Sequence, residues 1–129
     1  METEALLDSY RWIVRERDAL RRQLEALESP WWERPDARGE AQVLRSRTRR
    51  KAACREALRK REEALTAQIE RVERLLAGPM APRTRAILRQ YYCLGMTDRE
   101  IGAAIGCSER TCSAVRRAWL KALGEGAGG

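Results

Sequence analysis

Ten side chains in the last third of the chain carry charge or hydrogen-bonding groups at short intervals: Thr97, Arg99, Ser108, Glu109, Arg110, Thr111, Ser113, Arg116, Arg117 and Lys121. From Ser108 onward they fall on a pattern that reads as one helix. Arg110, Ser113, Arg116, Arg117 and Lys121 occupy the face opposite Cys112, Val115, Trp119 and Leu123. A helix of this width enters the major groove of B-DNA, and its first turns reach base edges. Arg bonds bidentately to guanine, Glu accepts from cytosine and Ser adapts to either, which is the chemistry Glu109, Arg110 and Ser113 offer. Arg116, Arg117 and Lys121 lie further along, where phosphates are the expected contacts. Thr97 and Arg99 stand at the start of the preceding helix, where backbone N–H groups and a basic side chain meet phosphates.

Catalysis finds no comparable set. The chain has no histidine, so the commonest general base is missing. No grouping of Ser, Cys, Asp and Lys replaces it. The four cysteines, Cys54, Cys93, Cys107 and Cys112, form no C-x-x-C pair. They are expected to be buried or half-buried thiols and not a zinc site. Neither an enzyme nor a bound cofactor or metal is expected.

The elements that must position the ten residues follow from local signals. Gly78-Pro79-Met80-Ala81-Pro82 is a break, with Pro82 starting a short helix through Ile87, Leu88, Tyr91 and Tyr92. Gly95-Met96 is a turn. Thr97-Asp98-Arg99-Glu100 fits a capping box opening a second helix with Ile101, Ala104 and Ile105. Gly106 breaks the chain again, and Ser108 caps a third helix to about Leu123. Short helix, glycine-containing turn and longer helix are the helix-turn-helix arrangement, expected over residues 79–123.

Residues 1–77 read as two long helices. In the first, over residues 3–28, Leu6, Tyr10, Ile13, Arg17, Leu20, Leu24 and Leu27 step by four and three, the seam of a heptad repeat. Arg17 is expected to turn its head out of the seam or to pair across it. The second, over residues 40–77, has Leu58, Leu65, Ile69, Val72 and Leu76 on one side. Complementary seams and a short connection predict an antiparallel hairpin. The helices are unequal, and the spare apolar stripe predicts a homodimer or a further partner. Between them Trp31 and Trp32 sit in a Pro- and Gly-containing loop, as a hydrophobic plug or as a docking or base-stacking surface. From Arg45 to Arg61 nine basic residues meet one acidic residue, Glu56. That run is a solvated basic face or a contact for phosphates or an acidic partner. The glycine-rich residues 124–129 are expected to be a disordered tail.

The whole is all-α. Charged residues are 35% of the 129 and aromatics 5%, too lean for one large core. The net charge of +7 favours nucleic acid or an anionic surface. No apolar run approaches the roughly 20 residues that span a bilayer. Without a secretion signal, a soluble cytoplasmic protein with no membrane contact is expected.

The stretch YYCLGMTDREIGAAIGCSERTCSAVRRAWLKAL resembles the promoter-reading C-terminal region, region four, of sigma factors. It is closer still to the sigma-like helix-turn-helix of small phage and prophage regulators of the RinA and ArpU type. Tyr91-Tyr92 before the turn, Glu100-Ile101 with Ile105-Gly106, and Ser108, Thr111 and Val115 carry the likeness. Cys112 stands where the family prefers Val, and Trp119 where Ala is usual. The resemblance implies binding of promoter double-stranded DNA near RNA polymerase. Nothing upstream resembles the remaining parts of a full sigma factor, so a stand-alone sigma role is not expected. The favoured function is a sequence-specific transcription regulator encoded by a phage or prophage. The alternatives are a DNA-recognising phage packaging component of the small-terminase kind and a protein-docking adaptor with a sigma-like fold.

Overall fold

The computed structural model describes residues 2–28 and 41–127. Every regular element among them is helical, and there is no strand. Helix α1 spans Thr3–Glu28, α2 Ala41–Ala77, α3 Pro82–Leu88, α4 Asp98–Ile105 and α5 Glu109–Ala127. A π-helical turn, Arg89–Cys93, continues α3. No helix among the described residues is long and apolar enough to cross a membrane. The Trp31-Trp32 loop and the side chains of Arg45 and Arg47 lie outside the described residues.

The chain groups into two compact units, Ile13–Gln68 and Met1–Trp12 with Ile69–Gly129. In the first, Ile13, Leu20 and Leu65 are buried, while the expected seam positions Leu24, Leu27 and Leu58 are half-buried. The charged rims join across the helices: Arg61 Nε lies 3.0 Å from Glu16 and Arg21 Nε 2.9 Å from Glu62. The bond from Arg21 outweighs desolvation and holds the Glu62 carboxyl below its ordinary pKa. Arg17 leaves the seam as its length allows and pairs with Asp18, its neighbour, at 3.2 Å. Of the basic run, Arg49, Arg50, Arg59, Lys60 and Arg61 are exposed and Lys51 and Arg55 half-buried, which fits a solvated face and a contact for phosphates or an acidic partner alike. Cys54 is exposed as well, which corrects the expectation of a thiol at least half-buried. It lies one turn after Arg50 and Lys51 on a stretch of α2 where Ala52, Ala53, Glu56 and Ala57 are exposed too.

In the second unit Leu6, Leu7 and Tyr10 of α1 and Ile69, Val72 and Leu76 of α2 are buried. Full burial of a side chain such as Leu76 contributes about 1.5–3 kcal/mol. Tyr10 donates its hydroxyl to Glu73 at 2.5 Å, and Arg89 reaches the other oxygen of Glu73 at 3.3 Å. A helix leaves its last carbonyls without partners. At the end of α2 Arg85 supplies them, donating to the Leu76 carbonyl at 3.2 Å and the Gly78 carbonyl at 2.8 Å.

Further on, Ile87, Ile101 and Cys112 form a buried cluster against which Tyr91, Met96, Ile105, Cys107 and Val115 pack, and Leu88 and Tyr92 are buried as well. The π turn carries both tyrosines, Tyr91 packed against this cluster and Tyr92 buried. Leu94 N–H returns to the Arg89 carbonyl at 3.2 Å, five residues back, and the Tyr91 and Tyr92 rings meet edge to face, 5.0 Å apart. Burial pushes the Tyr92 hydroxyl pKa up to about 12. Helix α5 reaches Ala127, past Leu123, which corrects the expected disordered tail as far as that residue. Each glycine there costs about 1 kcal/mol of helix propensity, but the hydrogen-bonded turn ending at Leu123 is already formed, so extension needs no new nucleus.

Candidate nucleic-acid interface

The site is built by two turns and their caps. At the first, Gly95 takes φ +69, and Met96 N–H returns to the Gln90 carbonyl at 3.0 Å. Thr97 then caps α4 in the reciprocal way its sequence predicts. Glu100 N–H donates to Thr97 Oγ1 at 3.2 Å, and Thr97 N–H donates to Glu100 Oε1 at 3.1 Å. These bonds favour the charged carboxylate, so the Glu100 pKa is lowered, the backbone bond from Thr97 contributing most.

The second turn is closed by Gly106, at φ +80, a left-handed conformation that glycine adopts without steric cost. The N–H groups of Gly106 and Cys107 both return to the Gly102 carbonyl, at 2.9 and 3.0 Å. That doubled return brings the chain back so closely that Gly102, buried in α4, lies directly beneath the Cys107 carbonyl oxygen. Ser108 then caps α5, accepting from Thr111 N–H at 3.0 Å, and the two hydroxyls share a hydrogen bond at 2.8 Å. Cys112 anchors the first turn of α5, fully buried against Ile101 and Ile87.

With α5 so anchored, its outer side forms an open groove lined by Glu109, Arg110, Ser113, Ala114 and Arg117, with Asp98 of α4 at its rim. Glu109, Arg110, Arg117 and Lys121 are exposed and Ser113 is half-buried. Thr97, Arg99 and Ser108 are exposed at the two helix starts, and Thr111 is half-buried in its cap.

Arg116 is placed differently from expectation. Its guanidinium donates to Asp98 at 2.9 Å and lies 3.9 Å over the Tyr91 ring, leaving its side chain 15% exposed. It therefore does not belong to the outward stripe. On a helix it lies about 100° round from Arg117, on the side of Cys112, where an aromatic face and a carboxylate await it. The other Asp98 oxygen and Arg116 Nε are shielded and have no hydrogen-bond partner among the described residues.

Three contributors went unread in the sequence. Ala114 was legible, since it falls four residues after Arg110 and three before Arg117 on the groove face. Asp98 was seen only as part of a cap, because nothing local marks a pairing eighteen residues away. Gly102 passed as an ordinary helix position, because its role depends on where the next turn travels. Compared with family models, curated proteins and solved structures, the chain has no significant match.

Proposed function

We propose that the protein is a sequence-specific double-stranded DNA-binding transcription regulator, of the phage or prophage kind its sequence resembles. In this reading α4 and α5 form a helix-turn-helix, with α5 entering the major groove. The observation that carries it is the groove at the start of α5, where Glu109, Arg110, Ser113 and Arg117 line one open face. Arg110 and Glu109 read base edges, and Arg117 and Lys121 hold phosphates. Arg99 and the N-terminus of α4 hold the backbone beside them. Arg116 has the different task of fixing α5 against α4.

Helices α1 and α2 form an antiparallel hairpin in the same proposal. Early residues of α1 bond late residues of α2, Thr3 with Arg71 and Tyr10 with Glu73. Later residues of α1 pair with earlier ones of α2, Glu16 with Arg61 and Arg21 with Glu62. A homodimer through these helices and contact with RNA polymerase complete the reading. A monomeric mass by light scattering at micromolar concentration removes the dimer.

Selection of preferred duplexes from a random library, at two salt concentrations, tests the central claim. We expect a recurring motif that survives the higher salt. Arg110→Ala should lose about 1–3 kcal/mol of preference at one position of that motif, while Arg117→Ala weakens all sequences alike. Binding without a motif that vanishes as salt rises is counterion-driven attraction only and refutes the proposal.

A further inference from the structure

The turn before α5 holds a second chemistry, independent of nucleic acid. Cys107, the residue after Gly106, and Cys112, in the first turn of α5, bring their sulfurs to 3.1 Å. Both are free thiols, Cys112 buried and Cys107 half-buried. A disulfide has its sulfurs about 2.05 Å apart, so a movement of about 1 Å by Cys107, at the edge of the core, separates the dithiol from a bond. The geometry points to a peroxide-oxidisable pair: Cys107 and Cys112 are converted by hydrogen peroxide into an intramolecular disulfide that ties the turn to α5.

The roles of the two sulfurs differ because their surroundings differ. Burial pushes the Cys112 thiol up to about 11, with its hydrogen bond to Cys107 adding to the effect, so Cys112 is the poorer first nucleophile. Cys107 is the one a peroxide molecule reaches. Its thiolate attacks one peroxide oxygen, the O–O bond breaks, and Cys107 becomes a sulfenic acid while the other oxygen leaves as hydroxide, taken up as water with the proton that the thiol released. The Cys112 sulfur then attacks the sulfenic sulfur, and the S–O bond breaks. The hydroxyl departs as water with the Cys112 proton. Two thiols are oxidised and one peroxide is reduced to two waters. With the resolving thiol already in contact, the second step needs no rearrangement of the helices. The new bond crosses the Ser108 cap and fixes the chain leaving Gly106 to the core position that packs on Ile101.

Hydrogen peroxide added to the full chain, followed by alkylation of remaining thiols under denaturing conditions and tryptic mapping, reads the outcome directly. Trypsin cuts after Arg110, between the two cysteines, so the disulfide holds together peptides 100–110 and 111–116 that otherwise separate. We expect that linked pair, lighter by about 2 Da than the two reduced peptides together and separated by dithiothreitol, with Cys54 and Cys93 still alkylated. In Cys107→Ser, whose site is only half-buried, Cys112 should remain an alkylatable thiol after the same treatment. Recovery of the two peptides unlinked, whether alkylated or with Cys107 carried on to a sulfinic acid, overturns the inference. So does linkage of either cysteine to Cys54 or Cys93 instead.

Discussion

Replacing Gly102 with alanine sets two effects of known sign against each other. Alanine is the better helix former by about 0.8–1.0 kcal/mol, and an exposed position in α4 would gain that amount. At Gly102, however, a Cβ would collide with the Cys107 carbonyl oxygen and press on the Ser108 carbonyl carbon at 3.3 Å. The obstacle is backbone, held in place by the hydrogen bonds from Gly106 and Cys107 to the Gly102 carbonyl itself. Relief requires the turn to lift and those bonds to stretch. Inserting a carbon into a packed region costs about 1–3 kcal/mol, and part of a buried backbone hydrogen bond adds about 1 kcal/mol. The cost exceeds the propensity gain, and we expect Gly102→Ala to be destabilised by about 1–3 kcal/mol.

Thermal unfolding followed by circular dichroism reads this as a melting temperature lowered by about 4–12 °C, taking roughly 4 °C per kcal/mol for a chain of this size. Two glycines supply the comparison. Gly106 has open space where a Cβ would stand but a φ of +80, so Gly106→Ala carries backbone strain alone, about 1 kcal/mol destabilising. Gly124, inside α5 with nothing near, should gain from alanine by up to about 1 kcal/mol. A Gly102→Ala protein that melts higher than the parent would refute the close passage of the turn over α4.

Two further outcomes follow from named contacts. Arg116→Met should cost about 1–3 kcal/mol in denaturant unfolding, because it strips Asp98 of its partner and Tyr91 of its cation, whereas Arg117→Met should stay within about 0.5 kcal/mol of the parent. Asp98→Asn should recover part of the loss in the double variant, and equal effects of the two arginine variants would end the distinction drawn between them. Glu100 should titrate below the ordinary 4.5 in a carbon-detected NMR titration, and Thr97→Ala should return it towards that value. Since the folded pKa is the lower one, the stabilisation from this cap is complete above the unfolded value and is lost as pH falls through the folded one. A Glu100 titration unmoved by Thr97→Ala would remove the capping bonds as its cause.

The sequence was most legible where a residue acts on its near neighbours. Helix caps are of this kind: Thr97 bonds Glu100 three residues on, and Ser108 bonds Thr111 at the same interval. The seam positions Leu6, Tyr10, Ile13 and Leu20 were also readable, because period alone selects them. Leu7 was missed for the same reason: the heptad step passes over it, and what buries it is a neighbour outside α1. The π turn left no trace, since Ile87, Leu88, Tyr91 and Tyr92 suit an α-helical face equally well. Placement of Arg116 needed knowledge of Tyr91 and Asp98 on two other elements. The contact between Cys107 and Cys112 depends on the path of the turn between α4 and α5, which composition does not record.

The pairing of Arg116 with Asp98 decides the electrical character of the groove. Asp98 lies at its rim, where an unpaired carboxylate would repel phosphate and weaken the positive field of Arg110 and Arg117. Its position in the first turn of α4 nevertheless suits the helix dipole. Arg116 resolves the conflict. Its guanidinium, 2.9 Å from Asp98 and stacked on Tyr91, cancels that charge from the core side and leaves the outward side to Arg110, Arg117 and Lys121. Glu109 is then the one carboxylate still facing outward from the groove wall, and it stands in the first turn of α5, where bases rather than phosphates are the expected neighbours. The inward arginine thus permits an acid to help start α4 while the outward face of α5 keeps the positive charge of Arg110, Arg117 and Lys121. Two consecutive arginines of identical chemistry, Arg116 and Arg117, thereby divide by helical angle alone: one is held inward by Asp98 and Tyr91, and the other is exposed on the groove wall.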